Sequence, residues 1–225
     1  KRLSWPDDYF AFYGELSYQL YMMKDWPYMI LTDGNSHNLA LSLQLSRSSI
    51  DNPIYTRRGS QFTLGLKITP PYSIIKGTTD AEFAQMTTSE KYNLLEYHKW
   101  KFSGKVFTPL TQDGKLVLMT RAEFGYLGHY NKNAKSPFES FYMGGDGMSS
   151  YSSYSTEYIS MRGYQSGSLT PYDPAVGRNM GYVYNKFTME LRYPISLEQN
   201  ATIWALAFVE AGNCFADIKD YNPFN

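Results

Sequence analysis

Apolar and polar residues alternate along this chain in seven separate stretches. The first places Phe10, Phe12, Leu16, Tyr18, Leu20 and Met22 on one face, against Tyr13, Glu15, Ser17 and Gln19 on the other. Leu39, Leu41, Leu43 and Leu45 then oppose Ala40, Ser42, Gln44 and Ser46, and Phe62, Leu64, Leu66 and Ile68 oppose Thr63, Gly65, Lys67 and Thr69. Trp100, Phe102 and Val106 oppose Lys99, Lys101, Ser103 and Lys105. A less regular stretch over Lys115–Gly128 sets Leu116, Leu118, Ala122, Phe124 and Tyr126 against Lys115, Arg121 and Glu123. The sixth sets Val183, Phe187, Met189, Leu191, Tyr193 and Ile195 against Lys186, Thr188, Glu190 and Arg192. In the seventh, Thr202–Phe215, Trp204, Leu206 and Phe208 face one way and Ile203, Ala205 and Val209 the other, apolar on both sides until Glu210. A period of two is the pattern of a β-strand with two unlike faces.

Strand length decides what lies beyond those faces. Soluble strands run to about 5–6 residues, and a soluble sandwich places turn signals every 8–12 or so. Several stretches here are longer and fit the roughly 9–11 residues of a tilted strand that crosses a bilayer. The pattern therefore predicts an all-β fold: a transmembrane antiparallel β-barrel with apolar residues toward lipid and polar ones toward the lumen. Asp113-Gly114 makes a compact turn, whereas 70–92 (partly helical over 80–92) and 131–180 are long connections that suit the external side. Seven strands cannot close a barrel of the usual even kind, and the chain stops in Tyr221-Asn222-Pro223-Phe224-Asn225. The expectation is one domain over residues 1–225, the middle section of a larger barrel with strands missing at both ends.

Composition narrows the partners. Lys+Arg and Asp+Glu are 21 each and scattered, so no field favours nucleic acid. Aromatics are 17% of the chain, with 21 Tyr, which fits a bilayer boundary or, alternatively, a tyrosine-rich sugar-binding sandwich. The single cysteine, Cys214, has no partner for a disulfide within the chain. His37, His98 and His129 are scattered without metal spacing, so no metal or other cofactor is expected. No triad or paired carboxylates suggest hydrolysis, and the chain does not read as an enzyme.

The Ser/Tyr/Gly-rich segment 131–180 reads as one long loop, and a loop of that length is usually functional or disordered. Gly144 and Gly145 look like a flexible turn leading into it, since the Lys-Ser/Thr of a phosphate loop is absent. Near its centre Met161-Arg162-Gly163-Tyr164 holds a cation in a specific setting. Glu190 lies on the polar face of the sixth strand and Glu210 interrupts the apolar seventh. If the loop folds inward to plug the lumen, Arg162 can pair with both carboxylates. Gly163 would then allow a tight turn at the wall, and Tyr164 would pack on the apolar inner face of the seventh strand.

Four ordered segments carry a resemblance that spans nearly the whole chain. They are Leu3-Ser4-Trp5-Pro6-Asp7-Asp8, the Phe141–Gly145 and Met161–Tyr164 parts of the loop, Met189–Pro194, and Phe208–Asn213. Together they resemble the BamA family of POTRA-barrel proteins, the central insertases of the bacterial outer-membrane barrel-assembly machinery. The family's inward loop ends in Val-Arg-Gly-Phe or a variant, so Tyr164 is a departure, and Glu210 stands where the family often has Asp. The resemblance implies a bacterial outer-membrane location and roughly sixteen strands in the whole barrel. It also implies a role in folding and inserting other barrel proteins, with unfolded outer-membrane clients, lipoprotein subunits and the lipid bilayer as partners. POTRA domains and the gate strands do not occur in this chain. Gly147–Ile159 looks like an insertion that could bind an additional extracellular partner. The alternatives are a sibling POTRA-barrel transporter (TamA-like or two-partner secretion) and a passive outer-membrane channel.

Overall fold

The computed structural model describes residues 1–26, 31–133, 135–148, 156–174, 177–198 and 200–223. In chain order the strands are β1 (Phe10–Met23), β2 (Gly34–Ser48), β3 (Gly59–Ile68), β4 (His98–Pro109) and β5 (Val117–Gly128). Short strands β6 (Ser140–Met143), β7 (Thr156–Ile159), β8 (Tyr172–Asp173) and β9 (Arg178–Asn179) follow, then β10 (Val183–Glu198) and β11 (Ala201–Phe215). Helices α1 (Tyr72–Lys76), α2 (Asp80–Gln85) and α3 (Thr88–Lys91) lie between β3 and β4. The seven long strands form one antiparallel sheet in the order β1-β2-β3-β4-β5-β10-β11. All seven alternating stretches fall on these strands, except that Thr69 lies just past β3 and Lys115 and Leu116 just before β5.

The two faces are the reverse of a water-soluble sheet. On the outer face Leu16 is 73%, Met22 75% and Val209 70% exposed, while on the inner face Asn38 is 1%, Lys186 3% and Thr188 1% exposed. An apolar stripe of that extent is an aggregation surface in water but the proper contact for lipid. Register carries the separation from strand to strand: Leu43 pairs with Leu66 and Gln44 with Gly65, so one residue of slip would turn every side chain to the wrong medium. Single cysteines at Leu39, Leu41, Leu43 and Leu45 in the bilayer-embedded protein are therefore expected to resist a water-soluble thiol reagent. Those at Ser42, Gln44 and Ser46 should react, and equal labelling of both sets would count against a membrane strand.

The core lies between the inner face and the long connection from β5 to β10. Phe138, Phe141, Met143, Ile159, Met161 and Met180 of that connection pack with Tyr97, Leu127, Tyr184 and Cys214 of the sheet and its margins. The segment that reads in sequence as featureless loop is internally paired. β6 runs parallel to β7, from Ser140 opposite Thr156 to Met143 opposite Ile159, and β8 pairs with β9. Its low apolar content conceals this, because the partners are only four residues long and the pairing is non-local.

Both ends of the sheet carry added structure. Above the shorter β3, the N-terminal part of β2 is bonded instead to the loop after α3, with His37 N donating to Asn93 O at 2.7 Å and Leu95 N to His37 O at 3.0 Å. Capping boxes, Thr79 with Glu82 and Thr87 with Glu90, start α2 and α3. At the opposite end the β2–β3 connection turns under the lumen. Its buried Tyr55 hydroxyl reaches Lys115 O (2.9 Å) and Arg192 O (3.3 Å), and its ring meets Trp204.

Candidate functional site: the loop tip on the inner wall

Antiparallel pairing of β10 with β11 sets Thr188 opposite Glu210 and Glu190 opposite Phe208. The two carboxylates are thus diagonal neighbours on the inner face, close enough for one long side chain to reach both. Arg162 does so. Its Nη2 donates to Glu210 Oε1 at 2.8 Å and to Glu190 Oε1 at 3.2 Å, while its backbone N–H donates to Glu210 Oε2 at 3.0 Å. The guanidinium carbon also sits 3.5 Å from the Phe208 ring centroid, a cation–π contact on the cross-strand partner of Glu190. Arginine suits this place because one terminal nitrogen, with two N–H donors, reaches both carboxylates while the planar guanidinium lies on an aromatic face.

Two wall cations complete the cluster. Lys186 Nζ donates to Ser160 O at 2.6 Å and pairs with Glu210 Oε1 at 3.2 Å. Arg192 donates through Nε (2.9 Å) and Nη2 (2.6 Å) to Glu190 Oε2. Side-chain exposure is 2% for Glu210 and 3% for Lys186 but 32% for Arg162, so the site is dry at the wall and open toward the lumen. The alternation already placed Lys186 and Arg192 on the polar face. Their role depends on which of several inner-face cations the loop tip lands beside.

Gly144 and Gly145 have left-handed backbones, φ +131° and +81°, and they are packed tightly rather than forming a flexible turn. Met161 N donates to Gly145 O (2.7 Å) and Gly145 N to Tyr164 O (3.0 Å), so Gly145 binds the arginine motif itself, and Gly144 N donates to Ile159 O (3.0 Å) just before it. A Cβ on Gly144 would lie 2.3 Å from Gln165 O, and one on Gly145 would lie 2.0 Å from the Tyr158 hydroxyl oxygen. Gly163 has φ +88° with nothing within 4 Å of its Cβ position. Gly144→Ala is accordingly expected to cost about 2–4 kcal/mol, and Gly163→Ala about 1–2 kcal/mol. Urea unfolding of the complete protein, followed by heat-modifiable mobility, measures both; equal effects would refute the packing difference.

Tyr164 does not occupy the place expected for it. It is 49% exposed, and the Arg162 guanidinium covers Phe208 instead. Lower on β11, Trp204 meets Tyr55 from the β2–β3 connection, while Leu206 and Phe208 each remain 42% exposed, so the apolar inner face is covered only in part. Within the Gly147–Ile159 insert, residues 149–155 lie outside the described residues.

The sequence pattern did not disclose a second set of contacts. Lys67 Nζ donates to Glu139 Oε1 at 2.5 Å, and Lys99 Nζ donates to Glu139 O at 2.9 Å and Oε2 at 3.1 Å. Lys99 also pairs with Glu157 Oε2 at 2.7 Å, and Lys101 donates to Glu157 Oε1. Burial opposes ionisation of Glu139 and Glu157, but Lys99 with Lys67, and Lys99 with Lys101, outweigh it and hold both carboxyls below the ordinary 4.5. A lowered pKa means that these pairs contribute in full above the ordinary value and lose their contribution as pH falls through the lowered one. The urea stability of the complete protein is expected to be constant from about pH 8 to about pH 5 and to decline only in more acid solution. A decline already near neutrality would contradict these pairings.

The Omp85 superfamily domain profile matches residues 7–224. Sequence comparison with curated proteins finds no match. Among solved structures the chain is similar to BamA from Haemophilus ducreyi lacking POTRA domains 1–3, with TM-score 0.61 and 17% identity over 93% of this chain. The match covers 40% of that protein's chain, so these residues span about two-fifths of its length. A profile that runs through every strand and the inward loop identifies the chain as a member of the Omp85 superfamily of outer-membrane β-barrel proteins.

Proposed function

We propose that this chain belongs to a barrel-assembly insertase of the bacterial outer membrane, which folds β-barrel proteins and inserts them into the bilayer. The observation that carries the reading is the loop tip Met161-Arg162-Gly163-Tyr164, docked through Arg162 on Glu190 and Glu210 inside a sheet whose outer face is apolar. A loop held across the lumen argues against a passive open channel. It leaves the sheet itself, rather than a wide pore, as the working surface. The activity is non-covalent, so no catalytic residue or cofactor is assigned. Unfolded outer-membrane proteins would be the clients, lipoprotein subunits the accessory partners, and the bilayer the medium in which both act. The insert around Gly147–Ile159 would be available to a further external partner.

The test is reconstitution of the complete protein, with its lipoprotein subunits, into liposomes that are then given an unfolded barrel client. Client folding, read by heat-modifiable mobility, is expected to run at least tenfold faster than with empty liposomes. An unchanged rate would overturn the reading. Translocation of a soluble exoprotein would indicate a two-partner-type exporter, and steady ion conductance a channel.

A further inference from the structure

The loop is fastened to the sheet at two places with opposite polarity. On β10 and β11 a loop cation meets wall carboxylates; on β3 and β4 loop carboxylates meet wall lysines. The second place is built for an occupant. Lys67 and Lys99 are directly opposed across β3 and β4, and Lys101 follows two residues on along the same inner face. Like charges directly opposite on a sheet repel, and Lys99 has only 4% of its side chain exposed, so water screens little of that repulsion. Every ion-pair partner described for these three lysines comes from the loop: Glu139 and Glu157. Glu139 reaches both Lys67 and Lys99 from a left-handed backbone, φ +68°, which a residue with a side chain adopts only when its surroundings enforce it.

A buried, strand-paired span joins the two places. Glu139 directly precedes β6, Glu157 lies on β7, and Arg162 follows three residues after β7 ends. Phe141, Met143, Ile159 and Met161 of that span are all buried in the core. The sheet between the anchors runs from β3 through β4, β5 and β10 to β11, and the loop contacts its inner face at both ends.

We propose that the loop is a two-ended brace, in which Glu139 and Glu157 are positioning residues that lock onto Lys67, Lys99 and Lys101. Together with the Arg162 anchor they hold the loop against the sheet from β3 to β11, and either anchor alone keeps the loop in the lumen. This holds for any activity of the barrel and does not rest on the insertase reading.

The experiment measures a distance in the complete protein in liposomes, with nitroxide labels at exposed Asp146 of the loop and at Leu64 on the outer face of β3, read by pulsed electron paramagnetic resonance. Buried Cys214 is changed to Ser in all samples. Arg162→Ala alone, and Glu139→Gln with Glu157→Gln, are each expected to keep the single distance of the parent. The combination of all three should move at least half of the population to a longer distance. Charge reversal separates a charge lock from lost packing. In the Arg162→Ala background, E139K with E157K should displace the loop, and adding K67E with K101E should return it. Release by Arg162→Ala alone, an unchanged distance in the triple variant, or failure of the reversed pairs to restore the loop would each overturn the brace.

Discussion

Glu210→Ala is expected to be the most damaging single substitution in the loop-docking site, lowering the stability of the complete protein by about 3–5 kcal/mol. Its carboxylate accepts from the Arg162 side chain and backbone and from Thr188 Oγ1, and pairs with Lys186. With the carboxylate gone, the Lys186 ammonium, 3% exposed, keeps only the Ser160 carbonyl among the described residues. An uncompensated buried cation is the costly outcome, more than the loss of the pair itself. Arg162→Ala should cost less, about 2 kcal/mol, since Lys186 remains on Glu210 and Arg192 on Glu190, and neither carboxylate is left alone. Arg162→Lys should recover only part, because an ammonium on a shorter stem has no planar face to lay on Phe208 while its nitrogen meets the carboxylates. Urea midpoints of the three variants in detergent test the order. A Glu210→Ala protein no less stable than Arg162→Ala would mean that Lys186 finds water.

The second large effect is on folding. These 225 residues, expressed alone and refolded into detergent, are expected to yield no compact, heat-modifiable monomer. β1 and β11 each pair with one neighbour in the seven-stranded sheet. The lower end of β1 has a partial cover, since Leu3 N donates to Phe10 O and Phe12 N to Lys1 O, but among the described residues the pairing stops there. The remaining backbone groups along both edges would face lipid or detergent, where each unsatisfied group costs several kcal/mol. Aggregates or mixed oligomers joined through β1 and β11 are the expected products. A discrete monomer whose mobility shifts on heating would show that the edges can close on each other.

The strands were legible in the amino-acid order because two different media act on them. Lipid on one face and the polar lumen on the other impose a period of two, and that period survives in single residues such as Lys99, Trp100 and Lys101, whatever the partner strand. The Arg162 contact with Glu190 and Glu210 was legible for a related reason: one cation in a polar loop and one carboxylate in an apolar strand are each out of place unless they meet. Tertiary structure decided the rest. Glu139 and Glu157 lie in a polar loop where acidic residues need no explanation, and Lys67, Lys99 and Lys101 fit an ordinary lumen face. Only the β6–β7 pairing and the β3–β4 register bring these five together, with Lys67 and Glu139 in direct contact across 72 residues of chain. Tyr164 went the other way: proximity to Arg162 suggested contact with β11, but the left-handed turn at Gly163 sends it toward solvent and leaves Phe208 to the guanidinium. Patterns set by the surrounding medium repeat along the chain and can be read from it, whereas contacts between one side chain and another depend on register and loop path, which only the folded molecule contains.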